Sequence, residues 1–388
     1  MNVAKGYKMT EIGVIPEDWE VKRIKDIAPL QRGFDLPVST QETGEYPVVY
    51  SNGITSFHNS FTTKGPGVVT GRSGTLGKVH YVESDYWAHN TTLWVTNFLG
   101  NYPLYIYYLY SSLKLERFGS GSGVPTLNRN DVHDYYVAVP PLPEQRSIAR
   151  VLSDTDELIN ALDKLIAKKR DIKKAVMQEL LTGKTRLPGF SGEWEVKKLG
   201  DIAIFLKGRG LAKSELIPFG GEPCIHYGEL FTQYPEKITE IISQTITSIP
   251  NACRSVSNDV LMPTSDVTPR GLAKASCLEI DGVILGGDIL VIRSKQGTVD
   301  GTFLSYIIRY EENQVLQLVT GSTVYHLYAS DMKEFIFSLP TLAEQQAIAQ
   351  VLSDMDREIA ALEQRRDKTK ALKQGMMQEL LTGRIRLH

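Results

Sequence analysis

Cysteine is scarce in this 388-residue chain: Cys224, Cys253 and Cys277 are the only three, and all lie in the second half. An odd count without a CxxC pair argues against a disulfide framework. Cys224-x-His226 offers two metal ligands, and two make no site, so reduced, buried thiols are expected. No run of about 18 apolar residues occurs, and the opening MNVAKGYKMTEIG carries no signal-peptide-like apolar region. The expectation is therefore a cytoplasmic chain without a membrane span. An excess of positive charge is also missing, with 43 Lys and Arg against 45 Asp and Glu, a net charge of −2. By segment, bases and acids number 12 and 13 over residues 1–143, 10 and 7 over 144–189, 13 and 18 over 190–340, and 8 and 7 over 341–388. A stand-alone nucleic-acid binder is usually strongly basic. If this chain touches DNA, much of the phosphate neutralisation must come from a partner.

Catalytic signatures are absent as well. GRSGTLGKV at Gly71 falls short of a phosphate-binding P-loop, because Arg72 stands where the first Gly belongs and Val79 where Ser or Thr belongs. Glu20-x-Lys22 and Glu195-x-Lys197 have the ExK spacing of some nucleases but no suitable upstream acid. Alternating exposed charges on a strand explain them better. No Asn/Asp-Pro-Pro-Tyr/Phe tetrapeptide, no GxGxxG after a strand, no HExxH and no G-x-S-x-G occurs. Together these absences favour a binding protein over an enzyme.

What the chain does contain is a stretch present twice. EQRSIARVLSDTD from Glu144 and EQQAIAQVLSDMD from Glu344 share nine of thirteen positions. IKKAVMQELLTG from Ile172 and LKQGMMQELLTG from Leu372 share eight of twelve. Both copies read as long helices. Ile148, Thr155, Leu162, Lys169 and Val176 recur every seven residues, with Val151, Leu158, Leu165 and Ile172 on the offset row, and copy two repeats this at Ile348, Met355, Leu362 and Met376 with Val351 and Leu372. Thr341 with Glu344 fits a capping box, Pro143 suits a first turn, and Gly183 and Gly383 suit the stops. Acids early in the helix and bases late complement its dipole. A helix from Glu144 to Thr182 would reach roughly 58 Å and cannot bury its stripe alone. A dimerisation coiled coil is the plain reading. Duplication within one chain favours an intramolecular pair holding two similar units apart.

The repeat extends past the helices. WEVKRIKDIA at Trp19 answers WEVKKLGDIA at Trp194, and GSGSGVPTL at Gly119 answers TGSTVYHL at Thr320, so the order is module, helix, module, helix. Each module predicts an α+β unit with one mixed sheet or irregular barrel. Its strands are YPVVYS, GPGVVTGRS, GKVHYVE and NTTLWVTN in the first and EPCIHYG, NDVLMPTSD, ASCLEI and GGDILVIRS in the second. A helix follows from Tyr102 and from Thr302. Its tyrosines, Tyr105, Tyr107, Tyr108 and Tyr110, suit a core better than base stacking. The remaining signal is polar loops: Lys64, Arg72, Ser73, Lys78, Ser122, Thr126, Asn128 and Arg129 in module one, and Lys207, Arg209, Lys213, Ser265, Arg270, Lys274, Ser322, Thr323, Tyr325 and His326 in module two. Such residues hold phosphates and read base edges, although ordinary surface turns have the same composition.

Two differing modules, each followed by a long helix reading PLPEQ…IA…L…D or a close variant and ending QELLTG, together with the opening TEIGVIPEDWE at Thr10, resemble the specificity subunit of a type I restriction–modification system. The resemblance spans the chain, and the helical repeats are its specific part. It implies target-recognition domains at 1–143 and 186–340, and long helices at 144–185 and 341–388 that form an antiparallel coiled coil with pseudo-twofold symmetry. It implies double-stranded DNA as ligand, read as a bipartite asymmetric sequence through the loop residues above. It implies two methyltransferase (modification) subunits holding S-adenosylmethionine, restriction/translocase subunits using ATP and magnesium, and no cofactor or metal in this chain. An orphan DNA-binding scaffold or regulator, or an enzyme with an unlisted active site, stays open beside it.

Overall fold

The computed structural model describes residues 4–120, 125–295 and 297–387. The chain divides into two compact units, one of residues 1–163 with 364–388 and one of residues 164–363. Each long helix, Leu142–Leu181 and Leu342–Leu380, is therefore shared between the two units, its first part in one and its last part in the other.

The first unit is built on an antiparallel sheet in the order Leu30–Arg32, Thr92–Val95, Gly67–Gly71, Val79–Val82. The second repeats that order with Ala203–Lys207, Ile289–Ser294, Asp259–Pro263 and Ser276–Leu278, and adds Lys237–Ile238 in parallel. The strand after each repeated Trp, Trp19 and Trp194, pairs with the strand before each long helix, Glu20–Arg23 with Tyr136–Val139 and Glu195–Lys198 with Ile336–Leu339, in matching antiparallel register. On these strands Lys22 lies 2.6 Å from Glu20 and Lys197 lies 2.5 Å from Glu195, exposed pairs with the alternation expected of a half-solvated strand. The helix Pro103–Ser112 buries Tyr105, Tyr108 and Tyr110 in the first core. Its counterpart Gly301–Tyr310 buries Phe303 and Tyr306 in the second. Tyr105, Tyr108 and Tyr110 are core, and Tyr107 packs against it partly buried, as expected of aromatics on a helix.

Each core is completed by both long helices. In the first unit Ile148, Ala149 and Leu152 pack with Leu380 and Leu381. In the second, Leu180 and Leu181 pack with Ile348, Ala349 and Leu352. The heptad reading needs one correction. Ile148 and Leu162 are buried as expected, but the second row runs through Leu152, Ile159 and Ile166, while Leu158, Leu165 and Ile172 stay about 40% exposed. The helix carries apolar residues on two adjacent rows, and seven-residue counting fits either.

Within each unit the helix halves are antiparallel, since ion-pair partners step down one helix as they step up the other. In the first unit Lys373 Nζ lies 2.6 Å from Asp156, and Arg366 and Lys370 reach Asp163. In the second, Lys173 reaches Asp356, Lys169 reaches Glu358 and Arg170 reaches Glu363. Tyr108 donates to Asp156 at 2.9 Å and Tyr306 to Asp356 at 2.6 Å, tying each unit's short helix to the same carboxylate. The late bases thus serve as interhelical partners besides suiting the dipole.

The expected capping box is not formed. Glu344 is buried and takes two bonds from Arg186, at 2.5 and 2.6 Å. A buried carboxylate without a cation would cost several kcal/mol, on the order of 3–5, so the arginine claims it. Glu144 is held likewise by Arg386, and also accepts the Trp19 indole N–H at 2.9 Å. Gly183 and Gly383 do stop the helices, with φ of +68° and +72°. No helix among the described residues is long and apolar enough to cross a membrane.

Candidate nucleic-acid interface

In the first unit the strand Gly67–Gly71 delivers Arg72 and Ser73 to the sheet's end. Their N–H groups donate to the Thr91 carbonyl at 2.8 and 3.2 Å, and the Arg72 carbonyl accepts from Leu127 at 2.8 Å. Ser73 bridges Thr126, which starts the two-residue strand Thr126–Leu127. Arg72, Ser73 and Thr126 are thereby brought together, with Asn128 and Arg129 following at the start of the helix Arg129–His133. Asn128 Oδ1 caps that helix by accepting from the Asn130 N–H at 3.0 Å, so part of its capacity is already spent. Lys78, on the turn beyond Arg72, donates to the Asn52 carbonyl at 2.9 Å. Lys64 is exposed but precedes the opposite end of the strand Gly67–Gly71, outside this cluster. Ser122 lies outside the described residues.

The second unit builds the same place differently. Ser265–Asp266 pairs with Tyr325–His326, which pairs with Thr320–Gly321, and the Thr264 carbonyl accepts from Leu327 as the Arg72 carbonyl does from Leu127. Ser265, Tyr325 and His326 thus meet, with Ser322 and Thr323 exposed on the connecting turn. The single turn Pro269–Ala273 packs on this small sheet and presents Arg270, whose side chain is 81% exposed with Nε 3.3 Å from Glu312. His326 stacks on Tyr328 at 6.1 Å. Lys207 joins the edge through Asp288, at 4.0 Å, whose carboxylate also accepts from the Thr264 hydroxyl. Arg209 and Lys213 are exposed further along that loop. Lys274 does not join the cluster. It is half-buried, and desolvation first, then nearby Arg309, pulls its ammonium below the usual lysine range, with Lys173 and Asp356 of the long helices among its charged neighbours.

The sequence matches the type I restriction modification DNA specificity domain twice, over residues 16–173 and 191–371. The chain belongs to this type I specificity family. The type I restriction enzyme MjaVIII specificity subunit of Methanocaldococcus jannaschii is 26% identical, with 96% of this chain and 94% of that protein covered. The S subunit of the type I system of M. genitalium has the same fold, with a TM-score of 0.66 at 15% identity, over 96% of this chain and 98% of that one. A chain from a structural study of assembly and conformational transition in a type I system aligns at a TM-score of 0.57 and 16% identity, over 96% and 99%. Type I specificity subunits are non-catalytic DNA-recognition subunits, and that is the class of this protein.

The specificity subunit also places beside its loops several polar groups that sequence reading passed over. In the first unit Tyr50 packs on His89 at 4.3 Å, His89 shares a hydrogen bond with Thr91 at 3.0 Å, and His80 reaches the Ser51 carbonyl at 3.2 Å. Desolvation holds both imidazoles below their ordinary value of 6.5, so they are neutral at pH 7, each able to donate and accept. In the second unit His226, Tyr227 and Phe231 form a similar aromatic group, with Phe231 against Gly271 beside Arg270. Single histidines at strand ends give no periodic signal, and only the folded sheet shows their proximity to the Arg72 loop.

Proposed function

We propose that residues 1–143 and 186–340 are target-recognition domains, each reading one half of a bipartite, asymmetric sequence in double-stranded DNA. The long helices at 144–185 and 341–388 then dock two methyltransferase subunits, which carry S-adenosylmethionine and methylate adenine N6. Restriction/translocase subunits using ATP and magnesium join that core. One observation carries the reading. The two units share sheet order and place their polar loops at the same point of the fold, Ser73 beside Thr126 and Ser265 beside His326, yet the side chains differ. Equal scaffolds with unequal readers suit two different half-sites. The near-neutral charge supports a clamp in which partner subunits supply phosphate contacts. Within the second unit, the partly exposed Leu165 and Ile172 of the first long helix suit a docking partner.

The test is a genome-wide map of N6-methyladenine in the source cells, with and without this gene. Loss of methylation at one bipartite motif, methylated on both strands, is the expected result and would supply both half-sites. Unchanged methylation, with the partner methyltransferase expressed, would refute the reading.

A further inference from the structure

Valine is an unexpected residue at the exposed tip of a polar loop cluster. Val267 is 73% exposed and Val324 46% exposed, so neither contributes much to the core of the second unit. Asp266 pairs with Tyr325 in an antiparallel ladder, which puts Val267 and Val324 at the next step of the same two chains. The tip is pre-organised. The Asp266 carboxylate accepts from the Val267 N–H and from the Thr268 hydroxyl, both at 2.7 Å. Gly271 closes on that carboxylate so tightly that a Cβ there would sit 1.8 Å from an Asp266 oxygen. Valine is stiff at χ1, so a held backbone means a held side chain. Arg270 follows three residues after Val267, its side chain 81% exposed and paired with Glu312, and Lys207 reaches the neighbouring strand end through Asp288, so the tip offers a fixed apolar point beside balanced charge. Among the four bases, thymine alone puts an apolar group, its 5-methyl, on the major-groove edge.

We propose that Val267 and Val324 together receive the 5-methyl group of one thymine in the half-site read by the second unit. The proposal rests on the reading of that unit as a DNA reader. It makes the two valines specificity determinants.

The experiment uses the full chain co-expressed with a methyltransferase subunit of the class assigned above, taken from the same source. Targets are selected from a random duplex library, then remade with deoxyuridine in place of each thymine in turn. One thymine is expected whose replacement weakens binding about four-fold, the worth of one buried methyl. Val267→Ser or Val324→Ser is expected to weaken binding to the thymine duplex similarly and to cause no further loss on the deoxyuridine duplex. That non-additivity marks a direct contact. Both side chains are exposed, so an unchanged melting midpoint checks the fold. Independent, additive losses, or a target insensitive to every deoxyuridine, would overturn the proposal while leaving DNA reading intact. Serine variants that keep full DNA selectivity but lose co-purifying methyltransferase would assign the tip to a protein contact and overturn it too. Recovery of no sequence at all would defeat the DNA reading and this inference with it.

Discussion

Arg72 and Arg270 occupy corresponding regions of the two units, and each can be tested alone. Arg72 is fixed by three backbone hydrogen bonds around its peptide and the next, so its guanidinium projects from a rigid base. Arg270 sits 3.3 Å from Glu312, but a pair this exposed is worth little and holds it only weakly. If either makes a bidentate guanine contact, replacement by Ala should cost about 1–3 kcal/mol and relax one base position; a phosphate contact should weaken all sequences evenly and reduce the salt slope by about one. Duplex titrations at several salt concentrations separate the two, and unchanged affinity with unchanged selectivity would remove that residue from the interface. His133 carries a different expectation. Its Nε2 accepts from the Leu30 N–H at 2.8 Å, which only the neutral ring can do. Desolvation chiefly, with Arg129 adding, lowers its pKa from 6.5, as desolvation does for His80 and His89. The unfolded chain therefore takes up protons first as pH falls. The contribution is intact above pH 6.5 and is lost as pH drops through the lowered native values. Urea midpoints should fall between about pH 7.5 and about pH 5, and His133→Gln should flatten part of that slope. A midpoint indifferent to pH would show that these rings are as solvated folded as unfolded.

At the scale of elements, the Tyr–Asp–Lys groups set the helix pairing. Asp156 accepts from Tyr108 and from Lys373, whose side chain is only 19% exposed. Asp156→Lys leaves two partly buried cations facing one another and should destabilise by about 3–5 kcal/mol. Adding Lys373→Asp should restore the greater part, read as the denaturant midpoint of the double variant; no restoration would mean the pair does not set the register. Much of this level was legible beforehand. The strands around Val48, Val69, Tyr81 and Leu93 lie where apolar runs and Gly or Asn punctuation put them. The duplicated segments are the two long helices, ending at their Gly stops. What was not legible was the direction each helix faces. Leu152 and Leu158 are the same residue type on neighbouring rows, and only the partner surface decides that one is buried and the other 39% exposed. The role of Glu344 was hidden for a related reason. A capping box is local, whereas its partner Arg186 lies far away in sequence.

At the scale of the whole chain, sequence order and spatial unit diverge. The first unit needs Leu380, Leu381 and the Arg386–Glu144 bond, all supplied by the last 25 residues, 364–388. Deleting them should loosen residues 1–163 far more than residues 164–363, which hydrogen exchange along the chain would show as lost protection in the first unit. Equal loss in both units, or none in the first, would contradict this composition of the cores. The candidate site was legible only as loops. Composition singled out Arg72, Ser73 and Thr126 and the fold brings them together, but it also singled out Lys64 and Lys274, which the fold sets aside because charge content says nothing about where a strand ends or which way a lysine leans. The interleaving of first and last residues bears on biosynthesis. Domains commonly fold in the order they leave the ribosome, at about 5–20 residues per second. Here the unit begun first is finished last: 200 residues, 164–363, separate its two parts, a delay of roughly 10–40 s at that rate. The second unit can close while the nascent first still waits, its Trp19 and Ile148 surfaces uncovered, for the tail that seals it.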